Sequence, residues 1–291
     1  RGGKLYTLNY AQITSTALDP IEKKPLYHFY PGSTILSIGT TGCNFACAFC
    51  QNWQIAQEEA PGTEVKPEEI IKAAVRYRED GNIGIAYTYS EPAVWFEYMM
   101  DVAPGIRQAG LKNVMVTNGF LADEAWERLM PFLDAVNMDV KGFQSAFYKR
   151  HCRGELEPVL RSAEKLAGKV HLELTTLLIP GENDDERDLH ALTDWVASLS
   201  KEIPLHFSRY FPQYKMDLPP TPERTLERAY AIAKEKLDYV YVGNSMVTQH
   251  TDTYCPECGE LWIERRRFNA EVVGLKGQHC IRCGNESPII L

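Results

Sequence analysis

Seven short runs of apolar and β-branched residues recur along the chain: Ser33–Gly39, Ile83–Tyr89, Asn113–Thr117, Ala135–Val140, Val170–Ile179, Pro204–Tyr210 and Asp238–Val242. Their length and bounding turn residues predict strands. Val114–Val116 and Leu177–Ile179 are apolar without alternation, as in strands buried on both faces. Between the runs the apolar period is that of helices. Pro67-Glu68-Glu69 places proline and acids in a first turn, and Ile70, Ile71, Ala74 and Val75 follow on one face. Asp123 is placed to cap a helix over Glu124–Phe132, and Asp184 or Asp185 one with Leu189, Leu192, Val196 and Leu199 inward. Thr221-Pro222-Glu223 starts a helix carrying Leu226, Ala229, Tyr230, Ala233 and Leu237. Strands alternating with helices give βαβ units on a parallel sheet, an α/β fold.

Length divides this picture. At roughly 150 residues per domain, 291 residues suggest two units. The texture changes near Thr251. Residues 255–291 carry five basic and five acidic side chains and are short-turned and cysteine-paired. The expected organisation is an N-terminal extension over 1–30, a barrel over 31–250 and a small C-terminal module over 251–291. With 44% hydrophobic and 24% charged residues the chain is of ordinary globular composition, which excludes collagen, coiled coil and wholesale disorder. A net charge of −8 lacks the basic footprint of a general nucleic-acid binder, so nucleic acid is not expected as a partner. No apolar run approaches the ~20 residues of a membrane span, and Arg1-Gly2-Gly3-Lys4 carries no apolar leader core. A cytoplasmic protein without a membrane partner is expected.

The eight cysteines carry the chemistry. They are grouped, as metal ligands are, in a chain that is neither small nor visibly secreted. Cys43, Cys47 and Cys50 lie directly after the first predicted strand, at its C-terminal end, which is the active-site face of barrel-like folds. Three thiolates can hold three irons of a cubane cluster that ordinarily takes four, leaving one iron open. A structural zinc site with a distant fourth ligand, or a buried cysteine loop, would use the same spacing. Cys255-Pro256-Glu257-Cys258-Gly259 and Cys280-Ile281-Arg282-Cys283-Gly284 are two Cys-x2-Cys-Gly knuckles, 21 residues apart. Four thiolates in two pairs make a closed tetrahedral site of zinc-ribbon type. Rubredoxin-type iron or an auxiliary iron–sulfur cluster would take the same ligands. A staple for a segment too small to bury a core is the simplest role. Docking through Arg265-Arg266-Arg267 is a second. Cys152 stands alone, as a substrate-facing thiol or an inert buried residue.

The run Cys43-x3-Cys47-x-Phe49-Cys50 after a first strand resembles the radical S-adenosylmethionine (radical SAM) superfamily. The resemblance implies a [4Fe-4S] cluster on Cys43, Cys47 and Cys50, with the amino and carboxylate groups of SAM on the open iron. Reductive cleavage to methionine and a 5′-deoxyadenosyl radical, then hydrogen abstraction, would follow. One further motif falls at each later strand end. Tyr89-Ser90-Glu91-Pro92 is similar to the family's Gly-Gly-Glu-Pro, with Glu91 the acceptor of the SAM amino group. Taken alone it also reads as a helix-start acid before proline. Thr117-Asn118-Gly119 matches a SAM-contacting Thr-Asn-Gly of glycyl-radical-enzyme activases, or is a plain Asn-Gly turn. Asp139-Val140-Lys141 matches their Asp-x-Lys, or is a surface ion pair. Ile179-Pro180-Gly181-Glu182-Asn183-Asp184-Asp185 resembles their Pro-Gly-x-x-Asp-Asp loop. His206 falls where an activase histidine stands near ribose and substrate, or is a satisfied strand residue. Phe49 would pack near adenine; Ser90, Glu91, Thr117, Asn118, Asp139, Lys141 and His206 would line the SAM pocket; Glu91, Lys141 and His206 would be catalytic.

The resemblance covers roughly residues 30–245 and implies an α/β partial (β/α)6 barrel of TIM type, beside the small C-terminal zinc-ribbon-like module. It is nearest to the AmmeMemoRadiSam-system radical SAM enzymes, relatives of pyruvate formate-lyase activases, through Pro25–Gly32, the cysteine run extended to Gln51-Asn52-Trp53, and Tyr-Ser-Glu-Pro. It implies Memo-type and AMMECR-type partner proteins and a ferredoxin- or flavodoxin-type electron donor. The substrate is expected to be a small molecule or metabolite. Alternatives are activation of a partner protein through a glycyl radical, and a non-catalytic metal-binding scaffold. Tyr89 and Ser90 replace two glycines, Thr176 stands where activases carry arginine, and residues 51–83 hold no cysteine.

Overall fold

The computed structural model describes residues 7–247 and 250–291; Arg1–Lys4, read above for a leader, lie outside them. All seven runs form strands of one sheet. The sheet holds β1 (Ser15–Pro20), β2 (Thr34–Gly39), β3 (Asn82–Tyr87), β4 (Lys112–Thr117), β5 (Ala135–Asp139), β6 (His171–Leu178), β7 (Leu205–Arg209) and β8 (Val240–Gly243), side by side in chain order. β2 to β8 are parallel, and β1 runs antiparallel to β2. Helices α1 (Pro67–Arg76), α2 (Phe96–Gln108), α3 (Asp123–Leu129), α4 (Leu156–Leu166), α5 (Glu186–Leu199) and α6 (Glu223–Lys234) fill the crossovers. Six βα units followed by a seventh parallel strand make an open α/β barrel.

Helix starts follow local chemistry. Pro67 is the first residue of α1, and Glu69 reaches back to accept the Lys66 amide at 2.8 Å. Asp185, not Asp184, caps α5 by accepting from the Asp188 amide at 2.9 Å. Asp123 does not cap: it sits inside the first turn of α3 behind Ala122, where its charge still favours the helix N-terminus. α3 also ends earlier than its apolar pattern suggests. A tighter turn over Met130–Phe132, with Pro131 inside it, takes over.

Alternation along the strands sorts the core. Leu36, Ile38, Ile85, Met115, Val136 and Met138 point outward and pack with helix residues such as Ile70, Ala74, Met99 and Val102. The intervening Ile35, Ala86, Val114 and Ala135 point inward and pack on Ile21, Leu26 and Phe29. Residues 15–30 are therefore no simple extension. Ser15–Pro20 completes the sheet edge along six residue pairs, and the segment after it plugs the barrel at the strands' N-terminal ends.

The C-terminal module has a three-stranded antiparallel sheet of β9 (Thr253–Tyr254), β10 (Leu261–Arg266) and β11 (Asn269–Val272). A small hairpin, β12 (Leu275–Lys276) with β13 (His279–Cys280), follows. The module is seated on the barrel. Tyr30 donates its amide to Ile290 O at 2.6 Å, and Ile290 donates to His28 O at 2.8 Å. Tyr27, Tyr239 and Tyr241 share one apolar cluster with Cys255, Trp262, Ile263, Cys280 and Ile289. Among the described residues, no helix is long and apolar enough to cross a membrane.

Candidate active site

The loop after β3 and the end of β4 meet at one carboxylate. Glu91 is 3% exposed. Its Oε1 accepts from Thr117 Oγ1 at 2.7 Å and from the Ala93 amide at 2.9 Å; Oε2 accepts from the Asn118 amide at 2.8 Å. Both readings of Glu91 hold at once, because the Ala93 bond caps the turn Pro92–Trp95. Burial pushes its carboxyl above the ordinary range, and the Asn118, Thr117 and Ala93 donors pull it back. Three donors aimed at two oxygens suit the ionised form. Oε2 keeps room for one more donor.

Asn118 continues the path. Its side-chain amide donates to Asn44 Oδ1 at 2.7 Å and lies 3.7 Å from Cys43 Sγ, to which it also donates. Asn44 in turn donates to Phe120 O at 2.7 Å. The Asn-Gly turn is real as well, since Phe120 donates its amide to Asn118 Oδ1 at 2.8 Å. Thus Thr117-Asn118-Gly119 and the cysteine loop form one hydrogen-bonded unit.

The loop over residues 42–52 is pinned from its other side by a π-helical turn, Tyr148–Cys152. Ala46 donates to Cys152 O and Ala48 to His151 O, both at 2.8 Å. Lys215 donates its amide to Ala48 O at 2.9 Å. Arg153 then takes φ +53°, a left-handed conformation that a non-glycine residue holds only when its surroundings fix it. Gly154 follows because a Cβ there would overlap the edge of the Phe45 ring. Gly154→Ala should therefore push Phe45 and the loop aside. About 1–3 kcal/mol of stability should be lost, with reduced iron loading, in denaturant titrations and metal assays of the reconstituted protein. Full iron loading would mean that Phe45 has slack to move.

Burial governs the three thiols. It pushes Cys43 up to about 12 and raises Cys50. Cys47 is raised by its hydrogen bond with Cys152 and by burial. In so dry a pocket the thiolates need a metal to replace the proton. Asp139 and Lys141 meet beside them at 2.8 Å. Burial opposes the Lys141 charge, yet Asp139 and the nearby Cys47 hold the ammonium well above the ordinary lysine range. The pair is no ordinary surface bridge, since the Lys141 side chain is 16% exposed.

A profile of the Radical SAM superfamily matches residues 37–192, over half of the chain. The chain belongs to the radical SAM superfamily. Members of the superfamily are enzymes, and the family implies a [4Fe-4S] cluster and SAM. An uncharacterised protein of Methanocaldococcus jannaschii is 46% identical over 299 residues, spanning 99% of this chain and 88% of that one. Pyruvate formate-lyase-activating enzyme of Staphylococcus aureus is 24% identical over 176 residues, 55% of this chain and 68% of that one. Among solved structures, a radical SAM methyltransferase from Sphaerobacter thermophilus superposes with TM-score 0.57 at 18% identity, covering 80% of this chain and 71% of that one. SuiB of Streptococcus suis superposes with TM-score 0.58 at 12% identity over 77% and 52%. At those identities the likeness is one of fold.

The residues of this radical SAM enzyme fit the family's cofactors. Ser90 Oγ is buried with no hydrogen-bond partner among the described residues, next to a carboxylate with acceptor capacity left. Cys43, Cys47 and Cys50 offer three thiols on one loop, the donor set that leaves one iron of a four-iron cluster open. Phe49 is 4% exposed, its ring 5.9 Å from that of Phe147. His206 points into the barrel but is held by Glu173 at 2.6 Å, and its ring packs on Tyr27 and Tyr241. No hydrogen bond joins it to the Glu91 group among the described residues. Cys152 is fully buried in the same core cluster as Cys47 rather than facing open space.

The C-terminal knuckles close as their spacing requires. Cys255–Cys283 and Cys258–Cys280 sulfurs lie 3.6 and 3.7 Å apart, and all four lie within 4.8 Å of one another. A tetrahedron with metal–sulfur bonds of ~2.3 Å has edges of about 3.8 Å, so the site fits one ion and is too tight for a cluster. One expectation fails here. Arg265 is no part of a basic docking patch: it is 5% exposed and turned into the protein, leaving only Arg266 and Arg267 outside.

Sequence reasoning also passed over several residues. Asn44 bridges the cysteine loop to Asn118, and Glu173 gathers two histidines. Asp19 gathers Lys23, Lys24 and the Tyr89 hydroxyl. A signal existed for Glu173, because His171, Glu173 and Thr175 alternate with leucine and threonine on one face of a strand.

Proposed function

We propose that this enzyme abstracts a hydrogen atom from a small-molecule substrate, using SAM bound across Cys43, Cys47, Cys50 and the Glu91 carboxylate. The observation that carries this reading is the continuous path Glu91–Thr117–Asn118–Cys43, which joins a buried acceptor for an amino group to a cluster cysteine. When bound, the reduced cluster supplies the electron that cleaves SAM to methionine and a 5′-deoxyadenosyl radical. The chain's own residues do the rest. Glu91 would accept the SAM amino group, and Ser90 would offer it a buried hydroxyl. Asn118 donates to the Cys43 sulfur, an outer hydrogen bond of the kind that tunes a cluster's potential. Phe45 and Phe49, both buried, keep water from the loop. Asp139, Lys141 and Phe49 line the remainder of the pocket, and His206 acts from the barrel interior. An electron donor of ferredoxin or flavodoxin type reduces the enzyme in the cytoplasm.

The C-terminal site is assigned zinc, with Cys255, Cys258, Cys280 and Cys283 as a closed ligand set that leaves no position for substrate. The likeness of Pro25–Gly32 and of the Cys43–Trp53 run to the AmmeMemoRadiSam group supports Memo-type and AMMECR-type partners. Similarity to pyruvate formate-lyase-activating enzyme favours a second reading, in which the hydrogen is taken from a glycine of a partner protein.

Anaerobic reconstitution with iron and sulfide, reduction and addition of SAM should yield 5′-deoxyadenosine detectable by mass spectrometry. A loaded, reduced protein that binds SAM and forms none, with or without candidate substrates, would overturn the proposal. A glycine-centred radical in a co-purified chain would favour the second reading.

A further inference from the structure

We infer that Arg265 is a positioning residue for the barrel interior, carried there by the C-terminal metal site. β10 enters from the module and places this one side chain in the barrel. Its guanidinium stacks on the Tyr27 ring at 4.2 Å and lies 5.7 Å from the Tyr241 ring. One nitrogen donates to Thr251 O at 2.9 Å and Thr253 Oγ1 at 2.7 Å; the other donates to Tyr27 O at 2.5 Å. The Arg265 amide is itself fixed on Asp252 Oδ1 at 2.6 Å. A planar fork that stacks and donates at once is a use lysine cannot reproduce.

Tyr27 passes the restraint on. Its amide donates to Glu173 Oε2 at 2.9 Å, and that of His28 to Oε1 at 2.7 Å. The same two oxygens accept from His206 Nε2 at 2.6 Å and His171 Nε2 at 2.9 Å. Glu173 has no exposed side-chain surface. Such a buried anion is tolerable only with its donors in place and a compensating charge near. Arg265 places its positive charge where it acts on Glu22, and it reaches Glu173 through Tyr27, whose carbonyl it holds and whose amide Glu173 accepts. His28, His171, His206, Tyr27 and Tyr241 complete the ionisable groups around it.

The metal enters because Cys255 and Cys280 belong to the same apolar cluster as Trp262, Tyr27 and Tyr241. Trp262 stands three residues before Arg265 on β10 and is fully buried. Closing the knuckles on an ion fixes Trp262 and hence the strand that delivers Arg265. The module thereby sets the tyrosine and carboxylate that orient His206. It adds a role for the C-terminal site that neither docking nor stapling describes.

The test is made on the full chain with both metal sites loaded. With Glu173 ionised, His206 Nε2 carries the proton, so a buried imidazole N–H signal in the downfield proton spectrum reports the Glu173 contact; His206→Gln assigns it. Arg265→Met should abolish that signal while the metal content at the cysteines is unchanged, and Arg266→Met should leave it intact. Arg265→Lys, which keeps the charge and loses the fork, should retain a shifted signal. Cys283→Ser should lose the metal and the signal together. A signal unchanged in Arg265→Met overturns the inference, and one unchanged in metal-free Cys283→Ser overturns the part played by the ion. None of these readouts uses SAM or the cluster, so their failure would leave the proposed reaction standing.

Discussion

Cys47→Ala is expected to abolish cluster assembly and 5′-deoxyadenosine formation while leaving the C-terminal ion bound. Cys47 is buried at the centre of the loop. A cubane held by two thiolates in place of three loses a ligand that no water can replace in a dry pocket. Iron and sulfide at the first site should fall to background, and one ion per chain should remain at Cys255, Cys258, Cys280 and Cys283. Cys152 is the residue to watch, since its carbonyl holds the Ala46 amide next to Cys47 and its side chain is buried in the same cluster. The double variant Cys47→Ala/Cys152→Ala removes it as a substitute ligand. Metal analysis and the cluster's visible absorption read both sites. Simultaneous loss of both metals from the single variant would sink the two-site description.

Glu91→Ala should act on SAM rather than on iron. The change strands three donors, the Thr117 hydroxyl and the Asn118 and Ala93 amides, in a buried place. Each orphaned group costs about 1–3 kcal/mol of stability where water cannot reach it. The ligand loses a charge-assisted partner as well. About 2–3 kcal/mol of binding corresponds to a roughly 30- to 150-fold weaker Kd. Cluster loading should change little, because no cysteine ligand is touched. Anaerobic titration of the iron-loaded variant with SAM decides the matter. Unchanged affinity at full loading would refute the role assigned to Glu91.

The strand ends show why the barrel and half of the site could be read from the chain. Each of the seven strands is a local apolar run, and the motifs stand in or just past successive strands, so order along the sequence became order around the barrel. β1 escaped notice because it is a half-exposed edge strand, with Ser15, Thr16 and Asp19 among its six residues and no apolar stretch. α2 escaped because Pro104 interrupts its pattern. Arg265 was misread for a different reason. Three consecutive arginines look alike in sequence, but a strand turns alternate residues to opposite faces, and here one face is the interior of another unit.

Cysteine spacing and strand–helix alternation, both local properties, by themselves determined the α/β fold class and the C-terminal four-cysteine group. Only the tertiary structure decided which groups meet. Glu91 finds Thr117 and Asn118 26 and 27 residues away, Cys47 finds Cys152, and Arg265 finds the Tyr27 carbonyl across 238 residues. The reason is physical. A buried donor, acceptor or charge must be satisfied by whatever the packed interior brings within reach, and closure of the barrel, not neighbourhood along the chain, sets that reach.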